Sequence, residues 1–151
     1  MQTPEDGWTI GGSIDQVNVT LRVSAPDLDP DDVTRRLAVN PTFAARRGDR
    51  RPSQDREIVQ RVGIWLLKLP RSQEWELSDA ISELLRPLPN DVTVWRELAS
   101  GAQIDLFCGL HLSDWNRGLD LPPELLARLG DRRIGLTFDI YCDGSDEGAD
   151  A

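Results

Sequence analysis

"VNVTLRVSAPDLDPDDVTRRLAVNP", Val17 to Pro41, is the stretch on which the fold class turns. Val17, Val19, Leu21 and Val23 alternate with Asn18, Thr20 and Arg22, and that period of two predicts a strand buried on one face. The pattern then changes. Asp29 is placed to cap a helix, Pro30 suits its first turn, and Asp31 and Asp32 sit where the helix dipole favours negative charge. Val33 and Leu37 supply the apolar stripe, so a short helix is predicted to end near Leu37.

Downstream, a basic connection from Asn40 to about Glu57 is broken by Pro41, Gly48 and Pro52 and predicts no regular element. Ile58 to Leu69 reads as one strand with apolar residues on both faces, ended by Pro70. Ser78 is placed to cap a helix through Arg86, and Asp91 a second through Ser100, with Gly101 as its stop. Ile104, Leu106, Cys108, Leu110 and Leu112 alternate as a strand. "PPELLARLG" then predicts a helix with proline at its start and Gly130 at its end. Ile134, Leu136, Phe138 and Ile140 form the last strand. Two βαβ units in series predict an α+β, ferredoxin-like sandwich: a four-stranded, largely antiparallel sheet with helices on one face and the last strand beside the first.

A chain of 151 residues suits one domain with its own core. The expected organisation is a flexible segment 1–12, one domain 13–142 and a disordered acidic tail 143–151. No apolar run approaches the roughly 20 residues that span a bilayer, and "MQTPEDGWTIGG" lacks a signal-peptide pattern, so a cytoplasmic protein is expected. Cys108 and Cys142 form no CxxC pair; both are read as small core residues, with no metal and no cofactor expected. Lys68 is the only lysine among 17 basic residues, a bias in keeping with GC-rich bacterial coding.

The formal charge is −9, yet Ala44–Arg71 carries eight basic residues against three acids. A pI near 4.5 disfavours non-specific binding to a phosphate backbone.

The order "VTLRVSAPDLDPDDVTRRLAVNPTFAARRGD", "GIWLLKLP", "IDLFCGL", "LPPELLARLG" and "LTFDIYC" resembles the bacterial family named domain of unknown function 4279, from about Val17 to Cys142. Its most specific parts are Asp29-Pro30, Pro41-Thr42 followed by Gly48-Asp49, the Trp65 strand, and Asp139-Ile140-Tyr141. The resemblance implies structural roles for these residues and supplies no catalytic set. It also separates Arg47-Gly48-Asp49 from the cell-adhesion tripeptide, since Gly48-Asp49 belongs to the family pattern and Arg47 completes the triplet by coincidence.

Candidate chemistry is sparse. His111, the one histidine, could work with Asp114 at a strand end or with Asp139, but two ligands without a third make a weak metal site. Cys108 and His111 point to opposite faces of their strand, which disfavours a Cys-His dyad. Asp139 is expected to pair with Arg22 across neighbouring strands, and Tyr141 shares its face. Phe107, Tyr141 and Trp65 are candidates for an exposed aromatic face, better suited to a homodimer partner than to RNA. Trp8, Trp75, Trp95 and Trp115 are read as anchors to the core, any of which could instead face a partner.

Arg46, Arg47, Arg50, Arg51 and Arg56 form the one basic run, fit to hold a carboxylate or phosphate, or to answer the chain's own acidic helix start. The expectation is therefore a non-enzymatic binding or regulatory module, comparable in size and charge to toxin-neutralising immunity proteins, with a protein or small anionic partner. A hydrolase-type site around His111, Asp114 and the arginine loop is the alternative, and nucleic-acid binding through that loop the second.

Overall fold

The computed structural model describes residues 11–70 and 75–142; Trp8, residues 1–10 of the expected flexible start 1–12, and the acidic tail from residue 143 lie outside them. The elements are β1 (Gly12–Ser13), β2 (Gln16–Ala25), α1 (Pro30–Leu37), β3 (Phe43–Ala45), β4 (Arg50–Ser53), β5 (Arg56–Val59) and β6 (Gly63–Lys68). There follow α2 (Leu77–Leu85), α3 (Val92–Ala99), β7 (Gln103–Leu112), β8 (Arg117–Gly118), α4 (Pro123–Asp131) and β9 (Gly135–Cys142).

The main sheet has five strands in the order β3-β6-β2-β7-β9, and all its pairs are antiparallel except β7 with β9. This corrects the expected four-stranded ferredoxin-like order. In a split βαβ unit the two strands joined by a helix run parallel with another strand between them. Here β2 and β6 are direct antiparallel neighbours, Val23 opposite Trp65, although α1 lies between them in sequence. The basic connection makes this reversal: β3 adds to the sheet and the β4–β5 hairpin turns the chain before β6. The strand that runs parallel to β2 after α1 is β3, with β6 between them, whereas β7 and β9, joined by α4, are direct parallel neighbours. The last strand therefore lies beside β7 rather than beside the first, and Asp139 stands opposite Gly109.

Alternation places Val17, Val19, Leu21 and Val23 on one face of β2, with Leu106, Cys108 and Leu110 of β7 and Trp65 of β6. All four helices contribute to that same buried cluster: Val33 and Leu37, Ile81 and Leu84, Trp95 and Leu98, Leu125 and Leu129. Each fully buried large aliphatic is worth about 1.5–3 kcal/mol, so this face carries most of the folding energy. Among the described residues, the other sheet face is left without a helix. The expected α+β class, with a multi-stranded sheet and helices, holds, while the extra strands were missed.

Local signals explain the ends. Asp29 accepts the Asp31 N–H at 3.0 Å and Pro30 opens α1; Asp91 accepts the Thr93 N–H at 2.9 Å and caps α3. Ser78 does not cap α2: the helix begins at Leu77, and Glu76 before it makes no side-chain cap. Gly130 lies inside α4 rather than ending it; the exit is made by Arg133 at φ 58°. The predicted Ile58–Leu69 strand is broken by Gln60–Val62, so Ile58 and Val59 belong to an exposed hairpin. Gly63 starts β6 where a Cβ would sit 2.7 Å from the Leu28 carbonyl oxygen, a close approach that requires glycine. Among the described residues, no helix is long and apolar enough to cross a membrane.

Candidate functional site

Sheet register assembles the helix-free face row by row. Phe43, Leu66, Arg22, Asp105 and Gly135 form one row, and Lys68, Thr20, Phe107 and Thr137 the next. Asn18, Gly109 and Asp139 follow, then Gln16, His111 and Tyr141. Phe43, Leu66 and Phe107 are half-buried here, and Lys68 is exposed.

Arg22 crosses to Asp105, with Nε at 2.8 Å and Nη2 at 2.5 Å from the two carboxylate oxygens, and Thr137 Oγ1 donates to Asp105 at 2.6 Å. Arg22 thus pairs with Asp105 and not with Asp139, because β7 stands between β2 and β9. Burial pushes the Asp105 carboxyl up, but the Arg22 and Thr137 hydrogen bonds outweigh it and hold the group below its ordinary value. The same guanidinium lies 4.7 Å from the Phe107 ring centroid, a cation–π contact.

The arginine run divides. Arg46 Nη2 lies 2.8 Å from both Asp29 and Asp31, and Arg47 lies 2.8 Å from Asp27. Partial desolvation pushes Asp29 up, yet Arg46 and the Asp31 amide leave its carboxyl below the usual range. The turn between these arginines and the hairpin is closed by Gly48 at φ 91° and by Asp49, whose carboxylate accepts the Arg46 N–H at 2.8 Å. Gly48 donates to the Gln60 carbonyl and Gln60 donates back to Asp49, each at 2.8 Å, so the turn is tied to the chain entering β6. Thr42 locks the next step, donating its N–H to the Leu66 carbonyl and accepting the Lys68 N–H.

Beyond that turn, Arg50 pairs with Glu57, at 3.6 Å. Arg51 stacks over Phe43, 5.0 Å from its centroid, and among the described residues neither Arg51, Arg56 nor Lys68 has a carboxylate partner. The five arginines therefore form no single basic surface: two serve the α1 start, and Arg51 joins the helix-free sheet face.

Among the described residues, no hydrogen bond or ion pair joins His111 to Asp114. The His111 ring stacks on Tyr141 at 4.9 Å between centroids, and Tyr141 donates its hydroxyl to Asp139, which raises the phenol's pKa. Asp114 accepts the Trp115 N–H at 2.7 Å and faces Arg117 at 3.9 Å. Clefts of about 410 to 540 Å³ open elsewhere on the surface, and His111 borders none of them. Cys108 is buried, and burial first, with the Asp105 charge second, pushes its thiol up to about 12, far from a thiolate nucleophile. Cys142, expected in the core, is instead exposed on β9.

Trp65 is fully buried on the helix side of β6, not on the open face, and donates Nε1–H to Thr34 of α1 at 3.0 Å. Trp95 anchors α3 by donating to the Pro89 carbonyl at 2.9 Å, Trp75 packs against the core, and Trp115 is 86 % exposed. Sequence reasoning missed the Arg22–Asp105–Thr137 group, although the odd spacing of Arg22 from the β2 valines already placed it opposite the core.

The profile of the family described as Domain of unknown function (DUF4279) matches residues 15–143, and the chain belongs to that family. No curated protein and no solved structure matches it.

Proposed function

We propose that this DUF4279 domain is a non-enzymatic binding module that recognises a carboxylate-bearing partner surface on the helix-free face of its sheet. The observation that carries the reading is the placement of Arg51 and Lys68. Both flank the half-buried Phe43–Leu66 strip, and neither is neutralised by a carboxylate among the described residues. An apolar centre with an uncompensated cationic rim is the anatomy of a protein-recognition surface, and it favours an acidic partner. Arg22 and Asp105 on the same face already answer each other, with Thr137 donating to the carboxylate. Nucleic acid fits less well, because Asp139 shares the face and the chain carries a charge of −9.

A titration of the full chain with a hexaglutamate peptide, followed by amide NMR shifts, tests the reading. Shifts at Phe43, Arg51, Leu66 and Phe107 that weaken with added salt are expected. Shifts confined to the Arg46–Arg47 turn, or none, would sink it.

A further inference from the structure

The two ends of the main sheet are built differently. At one end β3 has three residues, preceded by Pro41 and followed by the Arg46–Arg47 turn, so a second strand finds little to pair with. At the other end β9 has eight residues in unbroken one-to-one register with β7, from Gly135 opposite Asp105 to Cys142 opposite Leu112. Its outer edge carries no paired strand among the described residues. Soluble proteins blunt such edges with lysine, proline, bulges or shortness. "GLTFDIYC" has none of these and a single charge. On its helix side, Phe138 is 42 % and Ile140 61 % exposed, beside buried Cys108 and Leu110 of the neighbouring strand. Leu126 of α4, the helix that leads into β9, is also exposed.

We propose that β9 pairs antiparallel with β9 of a second copy of this chain, joining two sheets into one. The strand's own pattern selects a self-complementary register. A two-fold axis at Phe138 sets Phe138 against Phe138, Leu136 against Ile140, Thr137 against Asp139 and Gly135 against Tyr141. Apolar residues then meet apolar residues on the helix side, and Asp139 meets a hydroxyl on the open side. A slip that centred the axis on Asp139 would instead oppose two carboxylates, a destabilising pair. The interface lies at the β9 edge, so it leaves Phe43, Arg51 and Lys68 at the far side of the sheet free, and it does not depend on what those residues bind.

Sedimentation equilibrium on the full chain tests the pairing. The wild type is expected to be a dimer, and Phe138→Lys and Ile140→Lys, both at exposed sites, to raise its dissociation constant at least about tenfold with an unchanged far-UV spectrum. Phe138→Cys in a Cys142→Ser background is expected to form an intersubunit disulfide on mild oxidation, because opposed residues across an antiparallel pair stand within disulfide reach. A monomeric wild type overturns the proposal. So does a dimer that both lysine variants leave intact and that Phe138→Cys fails to crosslink.

Discussion

Only Gly48 and Asp49 separate Arg46 and Arg47 from Arg50 and Arg51 in one basic run, yet the two pairs do different things. The first pair lies against Asp27, Asp29 and Asp31, fixing the connection after α1 to the start of that helix. The second pair sits beyond the Gly48 turn on a hairpin arm, where Arg51 leaves the acids and covers Phe43. A run of like charge is thus divided by one left-handed residue into a half that serves the α1 start and a hairpin half from which Arg51 reaches the open sheet. Charge density alone does not identify a binding surface; what matters is which charges the fold leaves unanswered.

The largest expected effect breaks the frame on which both halves hang. Trp65→Ala empties a fully buried site between β3 and β2 and removes the hydrogen bond to Thr34, so it should cost about 3–5 kcal/mol in equilibrium urea unfolding. A loss below about 1 kcal/mol would mean that β6 is not packed under α1 as described.

Asp105→Asn comes next and sharpens the contrast between answered and unanswered charge. It leaves Arg22 with a neutral partner and should cost about 1–2 kcal/mol, a figure discounted because Arg22 is 37 % exposed. The Asp105 carboxyl lies below its ordinary value in the folded state, so its contribution is present above the unfolded pKa of about 3.9 and lost as pH falls through the folded value. Stability should therefore fall less steeply in acid for the variant than for the wild type, as followed by Tm at pH 7 and below pH 4. Equal acid sensitivity would show that another carboxylate controls that limb.

Arg46→Ala is expected to lower Tm by a small, measurable amount at low salt, and the difference should shrink as salt screens the Asp29 and Asp31 contacts. Smallest of all is Arg51→Ala, which should leave stability within about 0.5 kcal/mol by the same unfolding assay. If Arg51→Ala destabilised more than Arg46→Ala, the assignment of the two halves would be reversed.

Much of the fold was legible because burial writes itself as periodicity. The β2 and β7 alternations, the Asp29 and Asp91 caps and the proline-led start of α4 are local signals, and each lies where the sequence placed it. Strand order was not legible, since the same alternation suits either neighbour. What reverses β2 into β6 is the hairpin Arg50–Val59, and its strands are exposed, rich in arginine and interrupted by Pro52, so they carry no apolar period to read. The same misplacement hid the Arg22–Asp105 pair: both residues were visible on outward faces, but Asp139 took the role as long as β9 was set beside β2. The division of the arginine run had one readable cue, Gly48, whose turn aims the two halves apart.

The most direct test of that division compares two double variants in one assay, the affinity of the full chain for hexaglutamate at low salt. Arg51→Ala/Lys68→Ala should lose at least about tenfold in Kd while Arg46→Ala/Arg47→Ala binds as the wild type does. Unchanged binding in the first variant together with lost binding in the second would contradict the account.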